Sequence, residues 1–411
     1  MGEGLVRFFH HPAARLGEIL LNRPQKMNAV TKSMFVDIRA KLEEWEKRDD
    51  VQCIIWRGEE PVGKTKAFSA GGELREVVLG EGGIAAFVGP EYQLDCYISH
   101  YPKAQIAIWN GILMGAGYGL TAHAQIRVAL EFAPFQFAMP ESRFGLFADI
   151  GSSHLLTKHC PKFLGRYLVL TADRIRGPDA LWSGVATHLL PGQPNELFSD
   201  LLLQLGNFFN ADNTPKPSDP SLQPAMLSML QNVVQLHSST KNSVLTVTST
   251  TQHASHTHPS LVPSSSSAPQ ASTTASTLQG RLQRLYPLIV EFFGLPSLAD
   301  IYKNLKLAST VSQDAEKLEW ITFCLEALEV SCCPTSSAVA FEMMKKAEEP
   351  GFNYEKALIN DFRLAVHMFL REDIKLGAMA ILNKTGTPKW SPASITDIKM
   401  SDIAAFFEPL S

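Results

Sequence analysis

No CxxC pair occurs among the six cysteines of this 411-residue chain, which stand at 53, 96, 160, 324, 332 and 333. Such spacing offers neither a zinc site nor a disulfide framework, and it fits a reducing compartment. No apolar run approaches the roughly 18 residues that a membrane-spanning helix needs, so no membrane partner is expected. Excess charge is scarce as well. Against 37 Lys and Arg stand 41 Asp and Glu, a formal net charge of −4. A long basic surface that would neutralise nucleic-acid phosphates is therefore not expected. The opening MGEGLVRFFHHPAARLGEILLNRP has few acids but enters a strand-like segment almost at once, leaving little room for a removable transit peptide.

What is present suits a folded core, with 45% hydrophobic and 19% charged residues. Residues 4–24 read as strand, turn, strand. Thr31 fits an N-cap, and Phe35, Ile38, Leu42 and Trp45 then fall on one stripe of a helix. VQCIIW (51–56), Ile106–Trp109 and Ile126–Leu130 are strand candidates separated by Gly-rich turns. Strands alternating with helices predict an α/β core over 1–205. Residues 206–281 are expected to form a disordered Ser/Thr/Pro-rich insertion, densest over 237–280, because such a composition cannot offset its ordering entropy. Residues 282–411 are expected to be a helical C-terminal part. His253, His256 and His258 fall inside the insertion and are read as part of a polar tract, so no metal site is assigned.

Three places combine unusual backbone with carboxylates. Lys66–Leu74 (KAFSAGGEL) is a Gly-containing turn between a strand and a helical stretch. Asn110–Leu120 (NGILMGAGYGL) leads a strand into a helix through small residues. Free N–H groups at such junctions hold developing negative charge on an oxygen. Neither run has P-loop or dinucleotide-binding spacing. In the third, MPESRFGLFADIG (139–151), Glu141 and Asp149 lie in a largely apolar stretch. A carboxylate pair in a partly apolar pocket separates in pKa and divides acid from base work. A helix-capping acid and a turn aspartate would produce the same letters.

Taken in order, LNRPQKMNAV (21–30), KAFSAGGEL, NGILMGAGYGL and MPESRFGLFADIG resemble the crotonase (enoyl-CoA hydratase/isomerase) superfamily, and within it the 3-hydroxyisobutyryl-CoA hydrolase branch. Pro334-Thr335-Ser336 and Pro388-Lys389-Trp390 extend the match. The resemblance implies a crotonase-like spiral of ββα units with a helical C-terminal part. It implies an acyl-CoA substrate, with no cofactor beyond the coenzyme A that the substrate carries.

By the same resemblance, Gly72 and Ala116 supply the oxyanion-hole N–H groups, and Glu141 and Asp149 are the catalytic carboxylates. Glu91 touches substrate, and Lys26, Ala29 and Ala70 grip coenzyme A. Glu141 either activates water or attacks the carbonyl. Where a crotonase-type hydratase has its first catalytic glutamate this chain has Gly119, which argues against simple hydration. Leu376 and Met379 stand where the hydrolases tend to carry charges. The implied setting is valine breakdown in the mitochondrion, with a homo-oligomer among the expected assemblies. A structural role in the mitochondrial ribosomal small subunit, with nucleic acid as partner, is the alternative from another class, and another crotonase-type acyl-CoA hydratase or isomerase is the alternative within the family.

Overall fold

The computed structural model describes residues 4–61, 65–131, 135–211, 214–239 and 279–410. His253, His256 and His258, with the rest of 240–278 of the expected insertion, lie outside the described residues.

Two sheets organise the N-terminal half. The larger has the order β1 (Val6–His11), β2 (Leu16–Leu21), β3 (Cys53–Gly58), β5 (Ala104–Trp109), β7 (Ile126–Leu130), β10 (His188–Leu190). Only the β1–β2 pair is antiparallel. The smaller contains β4 (Ala67–Ser69), β6 (Ile112–Met114) and β8 (Gln136–Ala138), mutually parallel, with β9 (Ile175–Arg176) antiparallel at its edge. The chain visits the large sheet, then the small sheet, then helical backbone, three times in succession. These three passes are the ββα units of the expected spiral. Because β4, β6 and β8 are parallel neighbours, their C-terminal ends open side by side. Ligand sites in open parallel sheets form at that edge.

Local chemistry follows the sequence closely here. Thr31 Oγ1 accepts from Met34 N at 3.3 Å and caps the Lys32–Glu46 helix. Its Phe35, Ile38, Leu42 and Trp45 are all buried. Trp45 packs so close to β2 that a Cβ on Gly17 would meet its ring at 2.6 Å, which makes Gly17 a packing requirement.

The expected insertion begins too early. Pro194–Asn210 is one continuous helix, and Leu222–Ser239 is another. Leu197, Leu201 and Leu205 of the first, with Met226, Leu230, Val233 and Val234 of the second, pack against the outer face of the large sheet at Leu16, Ile55, Ile106, Ile108 and Val128. The physical reason is a helical apolar stripe at 226, 230, 233 and 234, which the surrounding Pro and Ser residues obscure.

Helices Arg281–Phe293, Leu298–Val311, Ala315–Glu326, Pro334–Lys346, Tyr354–Phe369 and Glu372–Asn383 build the C-terminal part. It shares one core with the spiral, since Leu364, Met368 and Ile374 join Phe87, Leu94 and Phe147 in a single apolar cluster. No single helix among the described residues is long and apolar enough to cross a membrane.

Candidate active site

Each of the three parallel strands of the small sheet ends in one component of the site. After β4 comes Ala70-Gly71-Gly72, after β6 Gly115-Ala116, and after β8 Pro140-Glu141. Gly71 and Gly115 have positive φ, +99° and +44°, a conformation that glycine adopts without strain. The N–H groups of Gly72 and Ala116, the residues that follow, donate to nothing among the described residues. Ala116 itself is not among the residues with positive φ, so its methyl group is accommodated. It opens the short helix Ala116–Gly119, whose first N–H groups have no intrahelical acceptor.

A cavity of about 350 Å³ lies against these strand ends. All eight residues expected at the site line it: Lys26, Ala29, Ala70, Gly72, Glu91, Ala116, Glu141 and Asp149. Lys26 and Met27 are exposed at its mouth, where Arg23 Nη2 pairs with Glu73 Oε2 at 2.9 Å. Leu74, Val77, Phe87 and Phe144 give apolar walls, and Ile381 and Leu382 of the C-terminal part complete them. Leu376, by contrast, is exposed, so one of the two altered C-terminal positions faces solvent.

Glu141 and Asp149 are only 4% and 6% exposed. A Cβ on Gly115 would lie 2.8 Å from Glu141 Oε1, so the carboxyl sits directly beside the Ala116 end of the N–H pair. Glu141 Oε2 is buried and has no partner. Asp149 differs, because Tyr92 Oη donates to its Oδ2 at 2.6 Å. Burial pushes the Asp149 carboxyl up to about 6, while the Tyr92 hydrogen bond pulls it down. Glu141 is pushed well above the usual carboxylate range, first by burial and then by the Asp149 charge. The Tyr92 donor thus favours the charge on Asp149, while burial and the neighbouring Asp149 charge disfavour one on Glu141.

Glu91 is buried on the Gly83–Ser99 helix and is raised by burial and by Asp149, Asp95 and Glu141 in turn. Two further carboxyls escape the sequence reading. Asp95, one helical turn beyond Glu91, is fully buried with neither oxygen partnered. A Cβ on Gly119 would come within 2.8 Å of its Oδ2, so the space beside Gly119 is filled by an acid from a different helix. Asp361, from the Tyr354–Phe369 helix, accepts the Gly151 N–H at 2.6 Å. The available signal was Glu91 and Asp95 at i and i+4 on a largely apolar helix. No lysine or arginine is among the charges acting on these five carboxyls.

Residues 16–218 and 234–407 match the enoyl-CoA hydratase/isomerase family. The chain belongs to that family. Among relatives, a mitochondrial 3-hydroxyisobutyryl-CoA hydrolase of Dictyostelium discoideum is 30% identical over 412 residues, covering 96% of this chain and 89% of its own. A human mitochondrial 3-hydroxyisobutyryl-CoA hydrolase is 28% identical over 403 residues, covering 96% and 86%. Among solved structures, an enoyl-CoA hydratase from Rhodobacter sphaeroides superposes with a TM-score of 0.71 at 24% identity, over 99% of this chain and 98% of that one. A carnitinyl-CoA dehydratase from Mycobacterium thermoresistibile also gives 0.71, at 22% identity over 99% and 97%. At these identities the superpositions establish the crotonase fold.

Proposed function

We propose that this crotonase-family chain hydrolyses 3-hydroxyisobutyryl-CoA, or a similar short 3-hydroxyacyl-CoA, to the hydroxy acid and coenzyme A. The observation that carries the reading is the Glu141 carboxyl set beside the free Ala116 N–H, with Asp149 in the same cavity. The thioester oxygen would accept from the Gly72 and Ala116 N–H groups, which stabilise the oxyanion as it forms. As the carboxylate, Glu141 either takes a proton from the water that attacks the carbonyl carbon or attacks that carbon itself. The C–S bond then breaks, and the sulfur leaves with a proton from the carboxyl cluster; on the second route water then hydrolyses the anhydride formed with Glu141, releasing the hydroxy acid and returning a proton to the cluster. Glu91 and Asp149 would receive the 3-hydroxyl group.

The relatives' names support a mitochondrial setting, and a place in valine breakdown is part of the proposal. A purely structural role finds less support. Buried carboxyls without partners cost stability, and a scaffold gains nothing from keeping several of them around one cavity. The deciding experiment is release of free thiol from 3-hydroxyisobutyryl-CoA by the purified chain beside Glu141→Gln and Asp149→Asn. Release that both variants lose supports the proposal. Release no faster than the variants overturns it for this substrate.

A further inference from the structure

Arg143 borders a second cavity as well as the first. This one, of about 620 Å³, is also lined by Arg174, Arg176 and Arg281, with Asp173 and Asp179 between them. Both aspartates are already engaged. Asp173 Oδ2 pairs with Arg281 Nη1 at 2.7 Å and accepts the Tyr167 hydroxyl. Asp179 accepts the N–H groups of Leu282 and Gln283 at 3.0 and 3.1 Å, which serves the first turn of the Arg281–Phe293 helix.

The other three guanidiniums have no carboxylate partner among the described residues. Arg143 Nη2 donates to Thr171 O at 3.3 Å, and its buried Nε donates to nothing. Arg174 Nη1 donates to the neutral Gln136 Oε1 at 2.8 Å, while the Arg176 side chain makes no polar contact among the described residues. Elsewhere Arg23, Arg57, Arg166 and Arg371 each lie on a carboxylate. Arg174 and Arg176 flank the buried Ile175 of β9, and residues two apart on a strand share a face. Four guanidiniums against two carboxylates leave the wall with a net positive charge, and a concave wall of net charge concentrates counter-ions. The planar fork of arginine matches phosphate and carboxylate oxygens.

We infer that the Arg143, Arg174 and Arg176 cavity is a binding site for a small oxyanion, a phosphate or a carboxylate. Two sources fit this chemistry. One is a free phosphate group. The other, which rests on the hydrolase reading, is the acid released by the reaction. That product carries a negative charge in a cavity crowded with carboxyls, and Arg143 belongs to both cavities.

Calorimetric titration at constant ionic strength tests the site on the full chain, with inorganic phosphate in one arm and 3-hydroxyisobutyrate in the other. The comparison is the Arg174→Gln/Arg176→Gln double variant. Both side chains are exposed, so an unchanged melting temperature is expected and serves as the control for folding. The expected result is saturable binding of one anion per chain, weakened about tenfold or more in the double variant. Saturation by phosphate alone assigns the site to a phosphorylated ligand. Saturation by the acid alone assigns it to the product and predicts product inhibition that the double variant relieves. No saturable binding of either anion, or binding that the double variant leaves unchanged, overturns the proposal. The phosphate arm needs no turnover, so its outcome is independent of whether the chain hydrolyses the thioester.

Discussion

The Tyr92 hydroxyl donates to Asp149 at 2.6 Å, and Glu141 in the same cavity has no such donor. Two buried carboxyls that look equivalent in the sequence are thereby made unequal, and the one with the donor ionises first. Tyr92 follows Glu91 on the Gly83–Ser99 helix, so one short stretch of that helix sets the charge state of the cavity.

Tyr92→Phe removes the interaction that holds Asp149 down. Asp149 is set near 6 with the donor present. If its carboxylate is required, activity in the native chain rises through about pH 6. In the variant that acid limb moves to higher pH while the alkaline side stays put. A pH profile of kcat/KM for thiol release checks this, and an unmoved acid limb would exclude Asp149 as the titrating group.

Gly115→Ala places a methyl group 2.8 Å from Glu141 Oε1, at a backbone φ of +44°. Glu141 must move, and kcat is expected to fall about 100-fold or more. If Lys26 and Ala29 grip coenzyme A as the resemblance implies, its binding at the mouth should survive, because both are untouched. Parallel kinetics and a coenzyme A titration separate the two effects.

Asp95→Asn tests the cost of the buried acid. Burial and the Asp149 charge raise Asp95 well above its usual range, above the ~3.9 of an unfolded aspartate. The native state therefore holds this proton more tightly, and stability is lost as pH climbs past about 4. At pH 8 the variant should be more stable than the native chain by ~1–3 kcal/mol. The difference should close below pH 4. Urea unfolding at the two pH values measures it, and a variant that is less stable at pH 8 would contradict the assignment.

Leu230→Ala probes the helix that the composition concealed. Leu230 is fully buried against the large sheet, so the substitution should cost ~2–5 kcal/mol. A chain in which Leu222–Ser239 lay apart from the fold would tolerate the change. Denaturant midpoints for the two proteins decide between them.

Much of this was legible in the sequence because short motifs encode backbone geometry. The Thr31 cap, the Trp45 stripe, the strand candidates and the ends of β4, β6 and β8 are all local patterns. The remainder depends on distant partners. Nothing near Asp95 in the sequence reveals that Gly119 leaves room for its carboxyl, and nothing near Asp361 reveals Gly151. Helix Leu222–Ser239 was missed for a different reason. Its polar face and its Ser-rich neighbours dilute a four-residue stripe that only the waiting sheet makes meaningful.

The hydrogen bond from Gly151 to Asp361 joins positions 210 residues apart. Closing so long a loop is entropically expensive, and contacts of that range form late. On refolding from denaturant, the spiral's helical signal should therefore return before the proposed thioesterase activity does. The last event would be the docking of the C-terminal helices, which seats Asp361 behind Asp149 and closes the cavity with Ile381 and Leu382. During synthesis the same order holds by necessity: the emerging N-terminal half can form its strands and glycine turns, but it waits for the far end of its own chain before it can act.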